Sequence, residues 1–241
     1  MENDWQIYRY ESLGSTNDEI KKFCIEPKHK TVVQTRLQTA GRGRRGRTWQ
    51  SLDGNLFFSV ALEFPLKDLS VLVLISGLSV LQTVRFFAPN ADAQLKWPND
   101  VLLNGAKVSG ILLEKGPLDY MIIGIGINIT QSPQTPDMLY PTISLNEAGI
   151  VITANDFLQR FLAIFNAYIE MYAAGNIAQI RQEWLNHVKG LNQAVQISQD
   201  NLQQSGIFKG IDENGALLLK NKNGITRISA GDVFYIEKKN E

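Results

Sequence analysis

Three long runs between Asn55 and Ile129 are too apolar to be left on a surface: Asn55 to Leu62 (NLFFSVAL), Asp68 to Phe87, and Asp119 to Ile129 (DYMIIGIGINI). The first and third read as mostly buried strands. The middle run reads as a buried central helix stopped by Ala88-Pro89-Asn90. It is unsuited to spanning a membrane, because Leu69 to Val84 is short and includes three serines, a glycine, a glutamine and a threonine. A chain of 241 residues, 44% of them hydrophobic, can bury one large core and still supply a small second domain.

The flanking segments fill in around this centre. Ser15-Thr16-Asn17 precede acids and then lysines, which matches the dipole of a short helix through Phe23. Thr31-Val32-Val33 is a short strand. Gln94 to Trp97, the breaker Pro98-Asn99-Asp100, Val101 to Leu103, the turn Asn104-Gly105 and Ala106 to Glu114 read as strands meeting at the edge of a sheet. Thr153 to Ala174 and Asn176 to Lys189 carry helical apolar spacing. From Ala194 onward short alternating runs and the turns Asn214-Gly215 and Asn223-Gly224 predict a small β-barrel of about fifty residues. The expected domains are therefore 1–190 and 191–241.

In Gly124-Ile125-Gly126 both glycines fall on one face of a strand, where something must approach the backbone closely. The stretch Thr39 to Gln50 (TAGRGRRGRTWQ) has no apolar periodicity and reads as a loop. It places four arginines and three glycines in seven consecutive residues. Glycines let guanidinium forks and backbone N–H groups converge on one anion, which suits phosphate oxygens. A solvated charge run or an RGG-like nucleic-acid contact are the other readings of such a stretch. With 24 basic and 24 acidic residues the chain has no basic excess to support the latter.

The remaining signals exclude more than they suggest. Cys24 is the single cysteine, so no internal disulfide forms, and a reducing compartment, the cytoplasm, is expected. The start MENDWQIYRY has no signal-peptide pattern. His29 and His187 stand far from the informative segments, and no Cys/His metal spacing exists. There is no P-loop, and Gly124 to Ile129 is not a dinucleotide fingerprint. Chemistry that needs neither a side-chain nucleophile nor a histidine base fits this set. Attack of an ionised carboxylate on the α-phosphate of ATP is such a reaction, needing only cations to position two anions.

Five motifs in order then resemble the biotin protein ligases: Ser15-Thr16-Asn17; Gln38 to Trp49; Lys96-Trp97-Pro98-Asn99-Asp100; Lys107 to Glu114 (KVSGILLE); and Gly124 to Asn128. The resemblance implies an α+β fold, with a mixed β-sheet flanked by helices as in class II aminoacyl-tRNA synthetases and a C-terminal SH3-like barrel. It implies that ATP, with Mg²⁺, converts biotin to biotinyl-5′-AMP. The biotinyl group then passes to a lysine of a biotin carboxyl carrier protein or carrier domain. Because the motifs begin at Ser15, no N-terminal DNA-binding domain is expected, nor any DNA or membrane partner; homodimerisation is left open.

By the same resemblance Ser15, Thr16, Asn17 and Gln38 bind biotin, the first three at its ureido group, with Asn17 as acceptor. Arg42, Gly43 and Arg44 clasp the biotin carboxylate and nucleotide phosphates, with Arg45 and Arg47 peripheral. Lys107 bridges carboxylyl and phosphate oxygens, and Asp100 orients the carrier lysine or a magnesium ion. Arg42, Arg44, Trp49, Asn99, Lys107 and Asn128 face the nucleotide. Gly110, Gly124 and Gly126 let the biotin rings lie on bare backbone. The catalytic set is thus Lys107, Arg44 and Asp100, with a loop that closes over the adenylate. A lipoate–protein ligase is the nearest enzymatic alternative, and a nucleic-acid-binding module the non-enzymatic one.

Overall fold

A computed structural model describes residues 5–24, 30–134, 140–199 and 202–236. Seven strands form one mixed sheet: β1 (Trp5–Leu13), β2 (Lys30–Gln38), β3 (Leu56–Glu63), β4 (Ala93–Lys96), β5 (Asp100–Leu103), β6 (Ala106–Lys115) and β7 (Tyr120–Ile127), in the order β1-β2-β3-β7-β6-β5-β4. Only the β1–β2 pair is parallel; the rest of the ladder is antiparallel. The hairpin predicted around Asn104-Gly105 joins β5 to β6, with both turn residues at positive φ, and β4 forms the sheet edge beside β5. Strand β1 was not anticipated.

Side chains alternate across the central strands. Leu56, Phe58, Val60 and Leu62 of β3, with Met121, Ile123, Ile125 and Ile127 of β7, join one large core. That core is completed by helices α2 (Leu69–Phe87), α3 (Ala154–Ala173) and α4 (Ile177–His187). Phe161 meets Phe58 edge-on at 5.1 Å and stacks on Phe165 at 5.5 Å; such pairs add to area burial. The opposite face carries α1 (Thr16–Ile20), a short 3₁₀ turn and a small cluster of Ile20, Cys24, Val33, Ala61, Tyr120 and Ile122. Cys24 is the small buried hydrophobe expected, and burial raises its thiol pKa. His29 lies outside the described residues.

Helix α2 corrects one expectation and meets another. With 19 residues and a mean hydropathy of 1.8, it is long and apolar enough to cross a bilayer, contrary to the reading above. It is nonetheless buried inside the fold over 67% of that window. Its serine and threonine hydroxyls are satisfied within the helix: Ser76 donates to Leu72 O (2.7 Å), Ser79 to Ile75 O (2.8 Å) and Thr83 to Ser79 O (2.6 Å).

Strands β8 (Ala194–Gln199), β9 (Leu202–Ile211), β10 (Leu217–Asn221), β11 (Gly224–Ile228) and β12 (Asp232–Tyr235) form an antiparallel sheet in the order β11-β10-β9-β8-β12. The predicted closure into a barrel is not found. Among the described residues β11 pairs only with β10 and β12 only with β8, so the ladder has two open edges. Trp97 Nε1 donates to Gly215 O at 3.0 Å, tying this sheet to the end of β4.

Candidate active site

The sheet face opposite the large core is a cavity of about 580 Å³. Ser15, Thr16, Asn17, Gln38, Arg42, Gly43, Arg44, Trp49, Asn99, Asp100, Lys107, Gly110 and Asn128 all line it. Arg47, Gly124 and Gly126 do so as well. Arg45 does not, and Cys24 and His187 are elsewhere; His187 packs against Arg85, and burial, assisted by the Arg85 charge, lowers the imidazole pKa.

At one end α1 presents a hydroxyl and amide cluster. Ser15 is at the N-cap position with extended backbone but makes no capping hydrogen bond, so its buried hydroxyl is not committed to the helix. Gln38 Oε1 accepts from Thr16 N (3.0 Å) and Thr16 Oγ1 (3.2 Å). Ser59, missed in the sequence reading, has its Oγ 2.7 Å from Thr16 Oγ1 and 2.6 Å from Asn17 Oδ1. This occupies the Asn17 oxygen, which had been expected to accept from a ligand, and leaves Asn17 Nδ2 buried without a partner. A buried donor of this kind is costly unless a ligand satisfies it. The one signal for Ser59 was a lone hydroxyl inside an apolar strand, opposite Gly124 in the β3–β7 register.

The glycines behave as the sequence required, with a difference in what covers them. Gly110 and Gly126 are register partners on β6 and β7. Trp49 lies over both: a methyl group at Gly110 would come within 2.8 Å of Trp49 Cζ3, and one at Gly126 would overlap the indole. A methyl at Gly124 would meet the Asn17 amide. The bare backbone expected to face a ligand is therefore covered by two of the site's own side chains. Trp49 Nε1 is buried and unpartnered.

The arginine loop is held by acids from three distant segments. Arg42 forms a fork with Asp18 of α1 (2.6 and 2.8 Å) and reaches Glu114 of β6 (3.5 Å). The Arg42 hydrogen bonds pull the Asp18 carboxyl down to about 2, against the upward push of partial burial. Arg47 meets both oxygens of Asp232 on β12 (2.8 and 2.9 Å), and Arg45 is 3.8 Å from the same carboxylate. Arg44 turns inward, donating to Asn99 Oδ1 at 3.1 Å; burial lowers its pKa. Arg45 adopts a left-handed conformation, φ 55°, which turns consecutive arginines to different partners.

Lys107 and Asp100 face one another at 2.7 Å. The β5–β6 ladder shifts register between Val101 and Leu102, a bulge that redirects the side chains beside it. Asn99 Nδ2 donates to Ile111 O (2.6 Å) and Asn128 Nδ2 to Ile143 O (3.1 Å) and Lys107 O (3.4 Å), so both amides brace β6. Among the described residues no group of three or more His, Cys, Asp or Glu could hold a metal ion. The cavity presents cations to anions.

Comparison with known proteins gives a consistent result. The profile of the Biotin/lipoate A/B protein ligase family matches residues 10–128, and that of the Biotin protein ligase C terminal domain matches residues 190–235. A Biotin--[acetyl-CoA-carboxylase] ligase of Paracoccus denitrificans is 33% identical over 232 residues, covering 92% of this chain and 97% of that one. One of Mycobacterium tuberculosis is 32% identical, covering 85% and 79% respectively. The structure of a biotin protein ligase from Aquifex aeolicus in complex with biotin and ATP superposes with a TM-score of 0.83 at 27% identity, covering 97% of this chain and 99% of that one.

Proposed function

The chain belongs to the biotin protein ligases, and from that premise we propose how its cavity carries out their reaction. The protein is an ATP-dependent biotin–protein ligase. The observation that supports this most directly is the convergence of all five sequence motifs on one cavity, with uncommitted polar atoms at one end and cations beyond them.

In the first step a biotin carboxylate oxygen attacks the α-phosphorus of ATP. A P–O bond forms, the bond to pyrophosphate breaks, and biotinyl-5′-AMP remains. The carboxylate is already ionised near neutral pH, so no base is needed. Ser15, Thr16, Asn17 and Gln38 hold the ureido end, and a mismatched ligand would leave Asn17 Nδ2 unpaired. Arg42, Gly43, Arg44 and Lys107 neutralise the approaching anions, and Asn99 and Asn128 steady them. Magnesium enters as MgATP, carried by the nucleotide phosphates. In the second step the carrier lysine amine attacks the biotinyl carbonyl, the C–O bond to AMP breaks, and the nitrogen loses a proton; Asp100 orients that amine.

The acceptor is the carrier domain of a biotin-dependent carboxylase, reached in the cytoplasm. The catalytic unit spans 1–190 and resembles class II aminoacyl-tRNA synthetases. The unit at 191–241 is SH3-like and helps to seat the arginine loop. Incubation with MgATP, biotin and a carrier domain tests the reading: one biotinyl mass on the carrier lysine is expected. Incorporation of lipoate instead, or no ATP-dependent incorporation, would overturn it.

A further inference from the structure

Lys96 is the only charged residue on the fully buried side of the chain among the described residues, 3% exposed at the end of β4. Its ammonium group lies 2.7 Å from the centroid of the Tyr140 ring, and it lines the active-site cavity. Among the described residues nothing accepts a hydrogen bond from it and no acid pairs with it. The two nearby carboxylates are engaged elsewhere: Asp100 with Lys107, and Asp232 with Arg47. A buried amine without a counterion carries its charge only at a cost, so a fold that keeps one beside a cavity presents it to an anionic ligand that balances that charge.

The order of strands says which anion. The polar cluster for the ureido group lies over β3 and β7, where Asn17 touches Ser59 and the Gly124 position. Lys107 is one strand further, on β6, and Lys96 two strands beyond that, on β4. At about 4.8 Å per strand, β4 lies roughly 10 Å past β6. If Lys107 serves the carboxylate–α-phosphate junction, Lys96 falls beyond the α-phosphate. Resting on the ligase reading above, we propose that Lys96 binds the β- and γ-phosphates of ATP and so holds the pyrophosphate leaving group, an assignment separate from that of Lys107.

The charge state adds an independent readout. Burial pushes the Lys96 pKa down to about 7, with Asp100 of β5 and Asp232 of β12 opposing and Lys107 of β6 and Arg47 of the loop reinforcing the shift; the Tyr140 ring also faces it, and the phenol's own pKa is raised by burial. A polyphosphate arriving beside such an amine draws a proton onto it.

Calorimetry on the full chain, in buffers of different ionisation enthalpy at about pH 8, tests this with MgATP, magnesium pyrophosphate, biotin and a non-hydrolysable biotinyl-AMP analogue. Lys96→Met should weaken MgATP and pyrophosphate binding about 10- to 100-fold, the loss of one charge-assisted contact. Biotin and the adenylate analogue should bind within about twofold of wild type. Wild type should take up close to one proton on binding MgATP. Lys96→Arg, which stays charged, should keep its ATP affinity without that uptake and serves also where Lys96→Met does not fold. Unchanged MgATP affinity in Lys96→Met, equal weakening of the adenylate analogue, or proton uptake persisting in Lys96→Arg would overturn the assignment. Failure of the ligase reading would look different, since wild-type protein would then form no biotinyl-AMP at all.

Discussion

Lys107 Nζ sits 2.7 Å from Asp100 Oδ1, so the cation assigned to adenylation and the acid assigned to transfer form one ion pair across β5 and β6. Neither side chain is fully exposed, and under the roles proposed above each would hold the other where a reacting group meets it. The pair can serve both half-reactions in turn, Lys107 turning to the phosphate in the first and Asp100 to the incoming amine in the second.

Removing the cation should therefore separate from removing the acid. Lys107→Ala is expected to slow biotinyl-AMP formation by about 10²- to 10³-fold, the worth of one preorganised donor at developing charge, with the thermal midpoint little changed. Asp100→Asn should retain more adenylation and lose more of the transfer step. Single-turnover pyrophosphate release and transfer from supplied biotinyl-AMP measure the two separately; equal losses in both assays for both variants would contradict this division.

Asp232 reaches from the C-terminal sheet to Arg47 and Arg45, 185 residues from Arg47 in sequence. Its carboxylate fixes the far side of the arginine loop, so Asp232→Ala should free the loop without touching the ureido end. Faster proteolytic cleavage within residues 41–50 is expected, with raised KM for ATP, greater escape of biotinyl-AMP into solution and near-normal biotin affinity. Arg44→Gly should also increase adenylate escape, because a closed loop protects the mixed anhydride from water. An unchanged ratio of transfer to release in both variants would argue against closure.

These long-range contacts mark the limit of what the sequence revealed. The buried strands, the long helices and the arginine loop were legible because their signal is local: apolar periodicity, turn residues, and glycines on one strand face. Strand β1 was not, since it is an edge strand with only Trp5 buried, and its partner register with Lys30 to Gln38 comes from chain-distant pairing. That Asp18, Glu114 and Asp232 hold the arginine loop was not legible, because their arginine partners are 24, 72 and 185 residues away. The covering of Gly110 and Gly126 by Trp49 also escaped the sequence, which shows that a glycine needs space but not who fills it.

That covering has a test. Gly126→Ala would place a methyl group inside the Trp49 indole, and backbone strands cannot retreat as a flexible side chain can. Overpacking of this kind costs about 1–3 kcal/mol, so a lower thermal midpoint and weaker biotin binding are expected. In a Trp49→Ala background the same change should cost little stability, because the overlapping ring is gone. Urea unfolding of the four proteins closes the cycle; additive losses would mean that Trp49 does not rest on Gly126 in solution.

The Arg42–Asp18 fork makes a pH prediction with a definite sign. The Asp18 carboxyl is lowered from 3.8 to about 2 in the folded chain, chiefly by its hydrogen bonds from Arg42, with Lys21 assisting. A folded-state pKa below the unfolded one means that the contribution is complete above about pH 4 and disappears as pH falls through about 2. Asp18→Asn should be less stable than wild type by a constant margin near neutral pH. That margin should begin to shrink as pH falls below about 4 and be lost only below about pH 2, where both proteins carry a neutral side chain. The carboxylate is 53% exposed, so the margin itself is small and screened by salt. Urea midpoints across this range measure it, and a difference between the two proteins that stays flat into acid would show that the fork does not form.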